Sequence, residues 1–135
     1  MSFVIDCSVT MAWCFADERT LATEALLARV VEAGAVAPAI WPLEVCNVLL
    51  AAARRKRIPV EAVSQVAQRI AALPIAVDTE GVALTWSNAL QLAERHGLSS
   101  YDASYLELAQ RKALPLATMD DALRRAAMVT GVAVL

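Results

Sequence analysis

Histidine occurs once in the 135 residues, and lysine only twice, at Lys56 and Lys112. The three cysteines, Cys7, Cys14 and Cys46, contain no CxxC pair, and an odd number cannot all pair within one chain. Neither a disulfide framework nor a zinc knuckle is therefore expected, and reduced thiols are the simple reading. Excess positive charge is also lacking: the net charge is −2 and the pI about 5.3. Domains that grip nucleic acid through bulk charge usually have a pI above ~9, so any such contact must come from local patches or bound cations. No apolar run approaches the ~20 residues of a membrane span. Pro38, Pro42 and Glu44 interrupt the best candidate, and the opening MSFVIDCSV has no basic leader and carries an acid inside its apolar run. A soluble, cytoplasmic protein without membrane contact is expected.

Apolar residues make up 59% of the chain, yet aromatics only 5% and much of the rest is alanine. Alanine has high helix propensity and little volume, which predicts closely packed helices over a modest sheet. With no linker, repeat or low-complexity stretch, residues 1–135 read as one domain. Phe3–Ile5 reads as a buried strand stopping at Asp6. Apolar residues at helical spacing predict a helix over Glu18–Ala33 with Gly34 as its C-cap, followed by a strand at Ala35–Pro38. Pro42 opens a helix that runs to Arg57, and Val60–Leu73 forms another. After a strand at Ile75–Val77, one long helix is predicted over Gly81–Arg95, ended by His96 and Gly97. Ser99 or Ser100 caps a helix over Tyr101–Lys112. Pro115–Thr118 is a strand, Asp121–Met128 a helix and Val132–Leu135 a last strand. This alternation implies an α/β fold whose mainly parallel sheet of about five strands lies between helices.

Ligands of open parallel sheets bind outside the carboxyl ends of the strands, and four acids map to that edge. Asp6 ends the first strand, and Glu44 lies in the first turn after the second. Asp102 opens the helix leading into the strand at Leu116–Thr118, and Asp120 follows that strand. Clustered carboxylates raise each other's pKa, and hard divalent cations remove the conflict. Oxygen-only ligation points to Mg²⁺ or Mn²⁺ rather than Zn²⁺. Such a site suits phosphate chemistry: one ion acidifies a bound water, and a second, at about 4 Å, stabilises the leaving oxygen. Acids in a first helical turn also serve the helix dipole, which accounts for Glu44, Asp102 and Asp120 as well as catalysis does. Asp6 has no capping duty unless a helical turn begins there.

The segments VIDCSV, WPLEVCNVLL, LSSYDASYLELAQRKALPLAT and LATMDDAL, in this order, resemble the PIN-domain ribonucleases. The resemblance is to the toxin half of VapBC toxin–antitoxin pairs and runs over essentially the whole chain. It implies a three-layer α/β/α fold and an endoribonuclease dependent on Mg²⁺ or Mn²⁺, with Asp6, Glu44, Asp102 and Asp120 as catalytic acids and metal ligands. It also implies an RNA substrate, a homodimer and a VapB-type antitoxin. Ser8 and Thr118 match small hydroxyl positions beside the family's site. Asn47, three residues after Glu44, shares its helix face. The fourth acid is doubled; Asp120 fits the T-x-D spacing, and Asp121 then reads as a helix-start residue.

Two other groups carry structural readings beside functional ones. The run Arg54, Arg55, Lys56 and Arg57 suits RNA or an antitoxin, but cations also favour helix C-termini. Trp13, Trp41 and Trp86 suit base stacking, but also a core or a dimer interface. Among rivals, a receiver domain needs a lysine near the end of the fifth strand, and neither Lys56 nor Lys112 lies there. A haloacid-dehalogenase-like phosphatase needs an aspartate two residues after the first, where Ser8 stands. A catalytically silent PIN-like binding module is the alternative against which the four acids argue.

Overall fold

A computed structural model describes residues 2–135 of the chain. Four short parallel strands form its sheet: β1 (Val4–Ile5), β2 (Ala35–Pro38), β3 (Ile75–Asp78) and β4 (Leu116–Ala117), in the order β3-β2-β1-β4. The chain lays β2 and β3 to one side of β1 and then crosses to place β4 on the other. The point where strand order reverses therefore lies between β1 and β4. Phe3, Val4 and Ile5 are fully buried, as the apolar run requires. The expected fifth strand is reduced to a single parallel bridge, Val134 to Leu116.

The helices are α1 (Cys7–Cys14), α2 (Leu21–Ala33), α3 (Trp41–Arg54), α4 (Val60–Ala71), α5 (Gly81–Leu84), α6 (Leu90–His96), α7 (Ser100–Lys112) and α8 (Asp121–Val129). Among them, α1 packs on α2 and α3, and α3 on α4. On the other flank α7 lies against β1, β2 and β4 and meets α5, α6 and α8. Local chemistry sets the boundaries. Helix α2 starts at Leu21 rather than Glu18 because Thr20 and Thr23 form a reciprocal capping box; Ala16–Glu18 before it is a single 3₁₀ turn. Ser99, not Ser100, caps α7, its hydroxyl accepting from the Asp102 N–H at 3.0 Å. Gly97 ends α6 in the left-handed conformation, at φ 65°. The single helix expected over Gly81–Arg95 is interrupted by a π turn at Thr85–Ala89.

Helix α1 is the element without a counterpart in the sequence reading, and it changes the account of Asp6. Asp6 does have a capping duty: with extended backbone (φ −100°, ψ 175°), it is the N-cap of α1 and accepts from the Val9 N–H at 3.1 Å. The condition under which Asp6 would have a capping duty, a helical turn beginning there, is met. Among the described residues, no helix is long and apolar enough to cross a membrane.

Candidate active site

Asp6 is the fixed point of the carboxyl edge. It leaves β1 at the reversal of strand order and is almost fully buried, at 4% exposure. Two hydroxyls clamp its carboxylate from opposite sides. Ser8 Oγ donates to Oδ1 at 2.6 Å and accepts from the Met119 N–H at 2.9 Å. Thr118 Oγ1 donates to Oδ2 and accepts from the Asp120 N–H at 3.0 Å. Each hydroxyl thus joins Asp6 to the turn between β4 and α8, and one of them sets the backbone of Asp120. Below the carboxylate, the Thr10 hydroxyl donates to the Asp6 carbonyl at 2.9 Å and accepts from the Trp41 indole N–H at 2.9 Å. Ser8 and Thr118 therefore both stand beside Asp6.

Asp120 is exposed and is the N-cap of α8, its Oδ1 accepting from the Leu123 N–H at 2.8 Å. Asp121, next along the chain, is exposed in the first turn of α8. Asp102 and Glu44 are half-buried in the first turns of α7 and α3. Glu44 Oε1 accepts from the Tyr105 hydroxyl at 2.5 Å. Asn47 is exposed and its side chain makes no hydrogen bond among the described residues.

Electrostatics show that these groups share one rim. Burial pushes the Asp6 carboxyl above the usual range; the bonds from Ser8, Thr118 and Val9 oppose this, and the charge of Asp120 adds to it. Glu44 is raised by burial, then by the charges of Asp102 and Asp6, with the Tyr105 bond opposing. Asp102 is raised by burial, then by Asp120 and Asp6. Asp6, Glu44 and Asp102 thus each feel at least one other acid of the four. The Cys7 thiol is pushed up to about 12, by burial and then by Glu44 and Asp6, so without a bound metal it stays protonated at neutral pH.

The carboxylates share a rim rather than a closed shell. Among the described residues no three His, Cys, Asp or Glu side chains crowd one point closely enough to hold an ion. The donors at the rim are all oxygen, which suits a hard cation. A hollow of about 250 Å³ lies farther along the same edge, lined by Pro38, Ile40, Leu43, Asp78, Glu107 and Arg111. None of the four acids lines it.

Of the other groups, Arg57 has structural work. It bonds Asp17 and Glu18 at 2.7 and 2.9 Å and lies 3.9 Å over the Phe15 ring. Trp13 and Trp41 are buried with bonded N–H groups, whereas Trp86 is 86% exposed on the π turn. Tyr105 is the residue at the site that sequence reasoning did not single out. Its one signal was its spacing, three residues after Asp102 on the same face of α7.

Comparison with known proteins yields a family and a fold. The PIN domain family profile matches residues 3–128. A crystal structure of PAE2754 from Pyrobaculum aerophilum is 21% identical and aligns over 93% of this chain and 84% of its own, with a TM-score of 0.73. FitAcB from Neisseria gonorrhoeae is 21% identical over 100% of this chain and 96% of its own, at 0.62. FitAB bound to an IR36 DNA fragment is 18% identical over 100% and 94%, at 0.61. Among curated proteins the chain matches none.

Proposed function

The chain belongs to the PIN domain family, and from that premise we propose that it is a metal-dependent endoribonuclease, the toxin of a toxin–antitoxin pair. PIN domains are generally nucleases, so hydrolysis is the chemistry of the family. One observation carries the reading for this chain. Asp6, buried where strand order reverses and clamped by Ser8 and Thr118, shares its rim with three more carboxylates whose charges it feels or imposes.

Asp6, Asp102 and Asp120, with Glu44, are the residues that would hold Mg²⁺ or Mn²⁺. When bound, the cation neutralises clustered carboxylates and acts as a Lewis acid toward phosphate. The protein's own part is positional. Ser8 and Thr118 fix both oxygens of Asp6, and through the Met119 and Asp120 N–H groups they fix the turn that presents Asp120. Asp120 Oδ1 is engaged by the Leu123 N–H, which orients the carboxylate before any ligand arrives. A site so preorganised loses little freedom on binding. The toxin role, a VapB-type antitoxin and a homodimer rest on the segments SYDASYLELA and T-x-D, and the likeness to FitAcB and FitAB supports the pairing with an antitoxin.

The test is cleavage of RNA by the purified chain. Mg²⁺ or Mn²⁺ should be required, and excess EDTA should stop the reaction. Hydrolysis by water leaves a 5′-phosphate and a 3′-hydroxyl, whereas a 2′,3′-cyclic phosphate would mean attack by the ribose hydroxyl. Cleavage unchanged in EDTA would remove the metal. Expression alone should arrest growth and co-expression of the antitoxin restore it; harmless expression of an active chain would remove the toxin role.

A further inference from the structure

Glu44 is held differently from the other three acids. Asp6 and Asp120 are oriented by hydroxyls and backbone N–H groups close in sequence or across β4. Asp102 lies in the first turn of a helix capped by Ser99. Glu44 sits on α3, whose N-cap residue Ile40 offers no side-chain bond, and receives its one side-chain hydrogen bond from α7, 61 residues away. The donor is the Tyr105 hydroxyl, at 2.5 Å, on a ring that is only 1% exposed. A buried ring has one pose, so its hydroxyl is a fixed donor rather than a mobile one. Oε1 is thereby engaged, and Oε2 accepts no hydrogen bond among the described residues. Three residues earlier on α3, Trp41 donates through Thr10 to the Asp6 carbonyl. The first turn of α3 is therefore tied at one point to α7 and at another to the chain at Asp6.

We propose that Tyr105 is a positioning residue for Glu44: its hydroxyl holds Oε1 so that Oε2 is the oxygen presented to a cation at the rim. The inference rests on the metal-dependent reading above. Partners that orient a metal ligand typically change metal affinity or activity by ~10- to 100-fold when removed. A tyrosine serves here because its acceptor lies on another helix, beyond the reach of a serine or threonine at position 105. Phenylalanine there keeps the ring and its packing and loses only the donor.

The experiment measures Mn²⁺ binding to the full chain, by the electron paramagnetic resonance of free Mn²⁺, in wild type, Tyr105→Phe, Glu44→Gln and the double variant. Tyr105→Phe should bind Mn²⁺ ~10- to 100-fold more weakly than wild type, while its melting temperature without metal falls by only a few degrees. In the Glu44→Gln background the same change should matter by less than about twofold, because a residue acting through Glu44 has nothing left to act on. Equal Mn²⁺ affinity in wild type and Tyr105→Phe would overturn the proposal, and so would full additivity of the two changes. A wild type that binds no Mn²⁺ would instead strike the metal reading itself, and the role of Tyr105 would fall with it. Should Tyr105→Phe fail to fold, the wild type still decides. With ¹³Cζ-tyrosine, and Tyr101→Phe to assign the two resonances, Tyr105 should shift as Mn²⁺'s diamagnetic counterpart Mg²⁺ is added, and should stay still in Glu44→Gln. A Tyr105 resonance unmoved in wild type at saturating Mg²⁺ would overturn the proposal.

Discussion

At the scale of the residue, two of the four acids also cap helices, so loss of activity on substitution does not by itself separate chemistry from architecture. Asp6 caps α1 and Asp120 caps α8. Alanine at either position removes a cap, worth about 1 kcal/mol, along with the charge. Asparagine caps about as well as aspartate and removes only the charge. Asp120→Asn is therefore expected to keep its stability within about 1 kcal/mol and to lose RNA cleavage by at least ~100-fold, the upper range for loss of a metal-site partner. Asp121→Asn should cut like wild type, since Asp121 is an exposed first-turn residue. Cleavage assays on both variants check this, and the reverse pattern would move the fourth acid to Asp121. The T-x-D spacing that favours Asp120 over Asp121 was readable in the sequence, whereas the capping of α8 by Asp120 was not. It follows from where α8 begins, and that is set by the Thr118 hydroxyl taking the Asp120 N–H.

At the scale of the element, legibility followed periodicity. Helices α2, α3, α4, α7 and α8 carry apolar residues at helical spacing or clear end signals, and their boundaries lie within a few residues of expectation. Helix α1 was not legible, because CSVTMAWC has its residues from Val9 to Trp13 all buried and so shows no alternation between an apolar and a polar face. The π turn was hidden inside a segment that reads as one continuous helix, and the fifth strand fell short because Val134 finds one bridge only. Also unread was the tie between β3 and α7. Asp78, at the end of β3, accepts two bonds from Arg111 at 3.2 and 2.7 Å, and Glu107 holds the same guanidinium from the other side at 2.9 Å. Gly81 lies against this group, where a Cβ would come within 2.9 Å of both Arg111 and Asp78. Nothing in local periodicity signals such a pairing across 33 residues.

That tie has a pH signature. Hydrogen bonding from Arg111 holds the Asp78 carboxyl below its usual value. Its folded pKa is lower than its unfolded pKa, so the stabilisation is fully present above the unfolded value of ~3.9 and is lost as pH falls through the folded value. Asp78→Asn breaks a pair whose acid is 5% exposed and whose arginine is 22% exposed. The expected loss is about 3 kcal/mol at neutral pH, the lower end for removing one partner of a buried pair, because Glu107 remains. Denaturant unfolding of wild type and variant should show a gap that is constant from pH 7 to about 5 and narrows below about 4. A gap that widens on acidification would show that Asp78 is not held ionised by Arg111.

At the scale of the whole molecule, the sheet order β3-β2-β1-β4 places β1 beside β4, and this is what gathers acids from positions 6, 44, 102 and 120 at one edge. The strand alternation and its carboxyl edge were readable, but the side of β1 on which β4 falls was not, since a run of two or four residues carries no record of its neighbours. Burying carboxylates and gathering their like charges both cost stability, and the raised carboxyls of Asp6, Glu44 and Asp102 record burial first and the neighbouring charges after it. A cation that binds only the folded state should return it by mass action, by about 2.7 kcal/mol at one hundred times its dissociation constant. For a domain of this size that corresponds to a rise in melting temperature of roughly 10 °C. Without metal, Asp120→Asn should be as stable as wild type or more so, because it removes one of the repelling charges and keeps the cap. With Mg²⁺ it should gain less than wild type, while Asp121→Asn should gain as much. Melting curves against Mg²⁺ concentration measure all three, with Ca²⁺ and Na⁺ at matched ionic strength separating site binding from screening. If Na⁺ at matched ionic strength raises the wild type as far as Mg²⁺ does, the acids are relieved by bulk salt alone, and a resident cation at this rim is ruled out.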